Sequence, residues 1–263
     1  MNFFDEKNKH SYTTREADVT WVNAIRDVID VTEKEAVDIG CGGGIYSRTL
    51  LEMGVKKVTG VDFSKAMLEG AREYCQGISN ISFQEGTALA TELPDESCDI
   101  VLERALIHHL RSDELQDCFL EAHRILRKDG AILIQDRTPE DCLQPGSPQH
   151  LRGYFFEKFP SLAEKEIKRR HTSSTVITAL LEAGFQEVKE VKLWETRKVY
   201  NSVADMQYDL LTRTGRSLLH ELSDANLASL TDYIGGKVRE EGKEEIEEKD
   251  CWTIWYAKKD VSR

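Results

Sequence analysis

The residues best suited to chemistry in this 263-residue chain are Val37-Asp38-Ile39-Gly40-Cys41-Gly42-Gly43-Gly44. Glycines that follow an apolar run let the backbone approach a ligand closely and adopt positive φ. Asp38 shares their register and either touches the ligand or accepts hydrogen bonds from loop amides. About 20 residues on, Asp62 ends the next apolar run, where an acidic residue of a nucleotide-binding α/β fold holds ribose hydroxyls. A carboxylate suits that task because it accepts from both hydroxyls at once. A dinucleotide fingerprint would put a third glycine at position 45, which is Ile45 here. Pyrophosphate also disfavours an anion such as Asp38 nearby, whereas a cationic sulfonium bearing an amino group tolerates it. The loop therefore favours S-adenosylmethionine over NAD.

These residues need elements to hold them. Val19, Val22, Ile25 and Ile29 recur at helical spacing and predict a lead-in helix. Strands are then expected at 36–40, 57–62, 81–84, 98–103 and 131–135, and helices at 46–53, 64–75 and 112–126, with Ser64 as an N-cap. Such alternation predicts a mostly parallel sheet covered on both faces. The rhythm breaks at 138–171, which holds four of the five prolines and the aromatics Tyr154, Phe155, Phe156 and Phe159, and reads as an irregular insertion. A helix near 174–182, a strand at 185–195, a largely helical 201–242 and a last strand at 251–257 complete the pattern. The acid-rich 240–250 reads as solvated surface.

Composition limits the function. Net charge is −12, and the one dense basic run, Lys165 to Arg170, is diluted by glutamate. Nucleic-acid binding needs a basic footprint, so the balance argues against such a partner. No stretch approaches the ~20 apolar residues of a membrane span, and the first ten residues lack the apolar core of a secretory signal. A soluble cytoplasmic protein is expected. The six cysteines are scattered, with no ligand spacing, so neither a disulfide framework nor a metal site is indicated.

Four stretches together resemble one family. VDIGCGGGIYSRTLLEMG followed by VTGVDFSKAMLEGARE is similar to motif I and the acidic loop of class I, Rossmann-like S-adenosylmethionine-dependent methyltransferases. CDIVLERALIHHL and EAHRILRKDGAILIQD resemble that family's segments around the fourth and fifth strands. The resemblance covers about 35–136 and implies a doubly wound, mostly parallel seven-stranded sheet whose last strand is antiparallel. It implies that Gly40, Cys41, Gly42 and Gly44 line the methionine and ribose side, that Asp62 holds the ribose, and that Phe63 lies against adenine. Thr87 stands where the family usually has an aspartate, and Ala88 offers its backbone N–H to the ring. Glu103 or Arg104 would meet the methionine moiety. His108 and His109 would face the transfer centre, as a general base or as residues shaping the pocket. An in-line displacement on an activated donor can proceed by positioning and desolvation alone.

Ligands of open α/β sheets bind beyond the carboxyl ends of the strands, so Asp136 and Arg137 are expected at the mouth, where the Arg137 guanidinium could orient an anionic group. Tyr12, Tyr154, Arg197 and Tyr200 are further pocket candidates. The chain divides into a cofactor half at 1–137, an insertion acting as a lid at 138–172, remaining core at 173–200, a helical insertion at 201–249 and the final strand at 250–263. A small-molecule methyl acceptor is expected; RNA or protein methylation, and a non-catalytic S-adenosylmethionine-binding module, stay open. Oligomeric state is not legible.

Overall fold

The computed structural model describes residues 17–242 and 245–260. Its elements run α1 (Val19–Val28), β1 (Glu35–Ile39), α2 (Ile45–Glu52), β2 (Lys57–Asp62), α3 (Lys65–Tyr74), β3 (Ile81–Glu85), β4 (Cys98–Arg104), α4 (Leu115–Ile125), β5 (Leu126–Asp136), α5 (Pro139–Cys142), α6 (Leu151–Lys158), α7 (Pro160–Lys168), α8 (Ser173–Glu182), β6 (Phe185–Tyr200), α9 (Val203–Leu211), α10 (Asp224–Glu240) and β7 (Ile246–Lys259). The chain divides into two compact units, one of Arg137–Arg170 and Trp194–Trp252, the other of the remaining described residues.

The larger unit is built on the sheet, whose order is β3-β2-β1-β4-β5-β7-β6. β1 pairs in parallel with β2 and β4, β2 with β3, and β4 with β5, while β7 runs antiparallel to β5. The central strands are buried on both faces, which is why they read as unbroken apolar runs. Helix ends follow local chemistry: the Asp18 and Ser64 side chains accept from Thr20 N and Met67 N at the starts of α1 and α3. In α1 the buried stripe is Trp21 and Ile25, four residues apart, and Val19 is exposed. The aliphatic spacing pointed to the helix but to the wrong edge of its buried face.

The smaller unit has its own core, in which Tyr154, Phe155 and Phe156 pack with Leu162, Leu210, Leu230 and Ile234. Segment 138–171 is therefore helical rather than irregular. Pro139 and Pro160 sit in the first turns of α5 and α7, where a missing N–H costs nothing. Three consecutive aromatics disguise α6 because it is apolar nearly all round. The acid-rich stretch is solvated only in part: Glu240, Glu241 and Glu245 are exposed, but its second half is not. β7 begins at Ile246, and Glu248 and Asp250 are buried because arginines of the same unit match their charges.

Candidate active site

The loop from β1 into α2 is shaped by backbone. Gly40 N and Cys41 N both donate to Val61 O, at 2.8 and 3.1 Å, fastening the loop to β2. Gly42 and Gly44 take φ of 51° and 79°, where a side chain is strained. A Cβ on Gly44 would also lie 3.0 Å from Phe83 Cζ. Asp38 is buried and accepts from Ser47 Oγ at 2.5 Å. It is thereby a buttress between β1 and α2. Burial pushes its carboxyl up to about 6, opposed by the Ser47 hydrogen bond.

At the end of β2, Asp62 Oδ2 accepts from Gly42 N and Oδ1 from Ser64 N, each at 2.9 Å. A carboxylate has ~four acceptor positions, so Asp62 keeps capacity for a ribose hydroxyl beside these backbone donors, and the group the sequence implied fits here. Burial raises the Asp62 carboxyl, and the N–H groups of Ser64, Gly42 and Phe63 hold it down. Phe63 is 45% exposed. Thr87 is exposed and closes a tight turn by accepting from Ala90 N at 3.1 Å, with Ala88 buried inside that turn.

At the end of β4, Glu103 and Arg104 point to opposite faces, as neighbours on a strand must. Arg104 lies with its guanidinium 4.0 Å from the centroid of Tyr46 of α2. Glu103 turns into the core beneath α4, where Cys118 Sγ donates to its Oε1 at 3.4 Å and Oε2 has no hydrogen-bond partner among the described residues. The expectation that Glu103 meets the methionine moiety therefore fails, because the pleat directs it to the other side of the sheet. Burial pushes its carboxyl up to about 8, so it is a neutral acid at physiological pH.

Beyond β4 a short 3₁₀ turn, Ile107–His109, carries both histidines. His108 Nδ1 lies 2.9 and 3.2 Å from the two oxygens of Asp136, which also accepts from His108 N at 3.2 Å. The rings of His108 and His109 are 4.0 Å apart, and His109 is exposed. Sequence reasoning missed Trp21 and Tyr46. Trp21 is fully buried, donates from Nε1 to Gln135 Oε1 at 2.7 Å, and meets Tyr46 edge to face at 4.9 Å. Its signal was the lone tryptophan in a polar lead-in helix.

Four of the candidates proposed for the acceptor pocket lie in the smaller unit. Arg137 is buried in the smaller unit, 2.6 Å from Asp250 and stacked 3.7 Å over Trp252. Burial, with Arg152 nearby, lowers its guanidinium to about 10, still charged at neutral pH. Arg197 and Tyr200 belong to a second buried cluster with Asp209, Arg216 and Glu248. Tyr154 is core, edge-on to Tyr233. All four make buried contacts inside the smaller unit. Tyr12 lies outside the described residues.

Fold and loop define a doubly wound α/β protein of the kind that binds nucleotide-like cofactors beyond the carboxyl ends of its strands. Residues 37–134 match the family model described as a methyltransferase domain. The uncharacterized methyltransferase YcgJ of Bacillus subtilis is 34% identical over 122 residues, 45% of this chain and 47% of that protein. A ubiquinone biosynthesis O-methyltransferase of Pseudomonas fluorescens is 30% identical over 129 residues, 46% of this chain and 53% of its own length. The chain thus spans about half the length of these curated relatives. Among solved structures, a protein of Anabaena variabilis described as a methyltransferase from an antibiotic biosynthesis pathway shares the fold, with a TM-score of 0.71 and 22% identity over 93% of this chain and 99% of that one. Residues 37–134 thus resemble a methyltransferase domain in sequence, and the chain shares its fold with a solved methyltransferase of that type.

Proposed function

We propose that the protein moves a methyl group from S-adenosylmethionine to a small-molecule acceptor. One observation carries this reading: the Asp62 carboxylate is aligned by Gly42 N and Ser64 N beside a left-handed glycine loop. Gly40, Cys41, Gly42 and Gly44 would form the floor for the methionine and ribose, Asp62 would bind the diol, and Phe63 would cover the adenine. The Thr87 hydroxyl and the Ala88 N–H would face the adenine edge. Arg104, held by Tyr46, would stand at the methionine end, and His108 and His109 at the acceptor end. When bound, S-adenosylmethionine supplies an activated methyl on a sulfonium. The chain's part is to orient the two partners and keep water from between them.

A small acceptor is supported by the net charge of −12, which disfavours long polyanions. The ubiquinone biosynthesis relative points the same way. Six cysteines held as buried thiols suit a reducing cytoplasm. No helix among the described residues is long and apolar enough to cross a membrane. The test is incubation with isotopically labelled S-adenosylmethionine and a cell metabolite extract, followed by mass spectrometry. Labelled small molecules are expected; label appearing only in added protein or RNA would refute the acceptor class.

A further inference from the structure

On the strength of that reading, we propose that Asp136 and His108 form the proton-accepting pair of the site, and that the acceptor atom is the oxygen of a weakly acidic hydroxyl, of the phenol or enol class. Sheet order assigns the pair its place. Ribose at the end of β2 and adenine toward β3 direct the sulfonium end of the cofactor to β1 and β4. The next strand is β5, and Asp136 is its last residue.

Asp136 is almost fully buried, and a buried carboxylate stays ionised only while donors face it. His108 gives it two, the backbone N–H and Nδ1. Because an ionised carboxylate only accepts, Nδ1 must carry a proton, and in the neutral ring the lone pair is then on Nε2. His109, by contrast, is exposed. The turn bearing His108 is also clamped: His171 Nε2 lies 3.0 Å from Ile107 O and 3.1 Å from Leu110 O, one carbonyl at each end. A ring fixed in orientation and tautomer, on a clamped turn, is prepared to take a proton rather than merely to fill space.

That preparation selects the acceptor. A neutral amine presents a lone pair already and can shed its proton to water afterwards, so it gains little from such a base. A hydroxyl becomes a good nucleophile only as its proton leaves. In the step implied, the O–H bond breaks and its proton passes to His108 Nε2. The oxygen's electron pair forms the bond to the methyl carbon, and the pair of the broken S–C bond stays on sulfur as a neutral thioether. The imidazolium is balanced by Asp136 and later releases its proton to solvent. Asp136 acts through His108 and is a positioning residue.

The test uses the full chain bound to S-adenosylhomocysteine. Long-range proton–nitrogen spectra of nitrogen-15 histidine-labelled protein, with His108 assigned by H108Q, should show the Nδ1-protonated tautomer, and D136N should move it toward the Nε2-protonated form. An Nε2-protonated ring in the wild type overturns the pair. In the labelled-extract assay the product should carry its methyl on oxygen. H108Q and D136N should lower kcat by on the order of a hundredfold or more, with little change in KM or in S-adenosylhomocysteine affinity by calorimetry. An N-methylated product, or full turnover in H108Q, refutes the proposal and leaves the small-molecule reading intact. No labelled small molecule from protein that binds S-adenosylhomocysteine defeats that reading itself, and the pair with it.

Discussion

Glu103 offers a quantitative check on the core beneath the site. Its carboxyl is fully buried among apolar side chains of β4 and α4, and burial raises it from an ordinary 4.5 to about 8. Below pH 4.5 the group is neutral folded or unfolded and adds no pH dependence. As pH rises from 4.5 toward 8, only the unfolded chain ionises it, so each unit lowers stability by about 1.4 kcal/mol. The accumulated loss is about 5 kcal/mol, complete once pH passes the folded value. Glu103→Gln keeps the shape and removes the titration. At pH 5 the variant should be somewhat less stable, by about 1–3 kcal/mol, because a buried amide needs partners for two N–H groups. Above pH 8 it should be the more stable protein. Urea unfolding of both proteins at unit steps from pH 5 to 9 gives the difference curve, in which groups common to both, such as Asp38, cancel. A tilt of about 1.4 kcal/mol per pH unit up to pH 8 is expected. Parallel curves would refute the reasoning, since they would mean that Glu103 ionises alike in both states.

Other outcomes follow from the loop and the ion pairs. Asp62→Ala should weaken S-adenosylhomocysteine binding by about 1–3 kcal/mol in calorimetry, through unpaired polar groups; unchanged affinity would remove Asp62 from the site. Gly42→Val places a branched side chain at φ 51° with Met67 Cε 3.3 Å from the new Cβ, so binding should be lost while circular dichroism stays native. Arg137→Ala strips a buried partner from Asp250 and should cost on the order of 3 kcal/mol of stability. Asp250→Asn in the same chain should recover part of that loss, which a role confined to the acceptor would not predict.

The cofactor half was legible because its determinants are local. Glycines at fixed spacing, a strand-ending aspartate and alternating apolar runs each act over a few residues. The faces of β4 were not legible, since one pleat separates Glu103 from Arg104 and only the packing of α2 and α4 shows which way each points. Arg137 stands at the end of β5 as expected, yet its partner Asp250 lies 113 residues away, beyond the reach of any local pattern. Separation in sequence likewise hides Glu248, 32 and 51 residues from Arg216 and Arg197, and Asp250, since their acidity suggests solvent until the matching arginines are known. Helix α6 was lost for a different reason: a helix buried nearly all round has no stripe for periodicity to detect. The His108–Asp136 contact falls between these cases. His108 lies just beyond β4 and Asp136 ends the neighbouring β5, so adjacency was inferable, but the hydrogen bonds were not.

The antiparallel pairing of β7 with β5 bears on how the protein is made. Ala131 to Asp136 find their partners at Lys258 to Thr253, the last stretch of sheet to leave a ribosome. At about 5–20 residues per second, the intervening chain takes on the order of ten seconds to synthesise. Throughout that time Ile132, Leu133 and Ile134 form an open apolar edge, ready to pair with the wrong strand. Until β7 arrives, this edge is a stretch of the sheet open to mispairing.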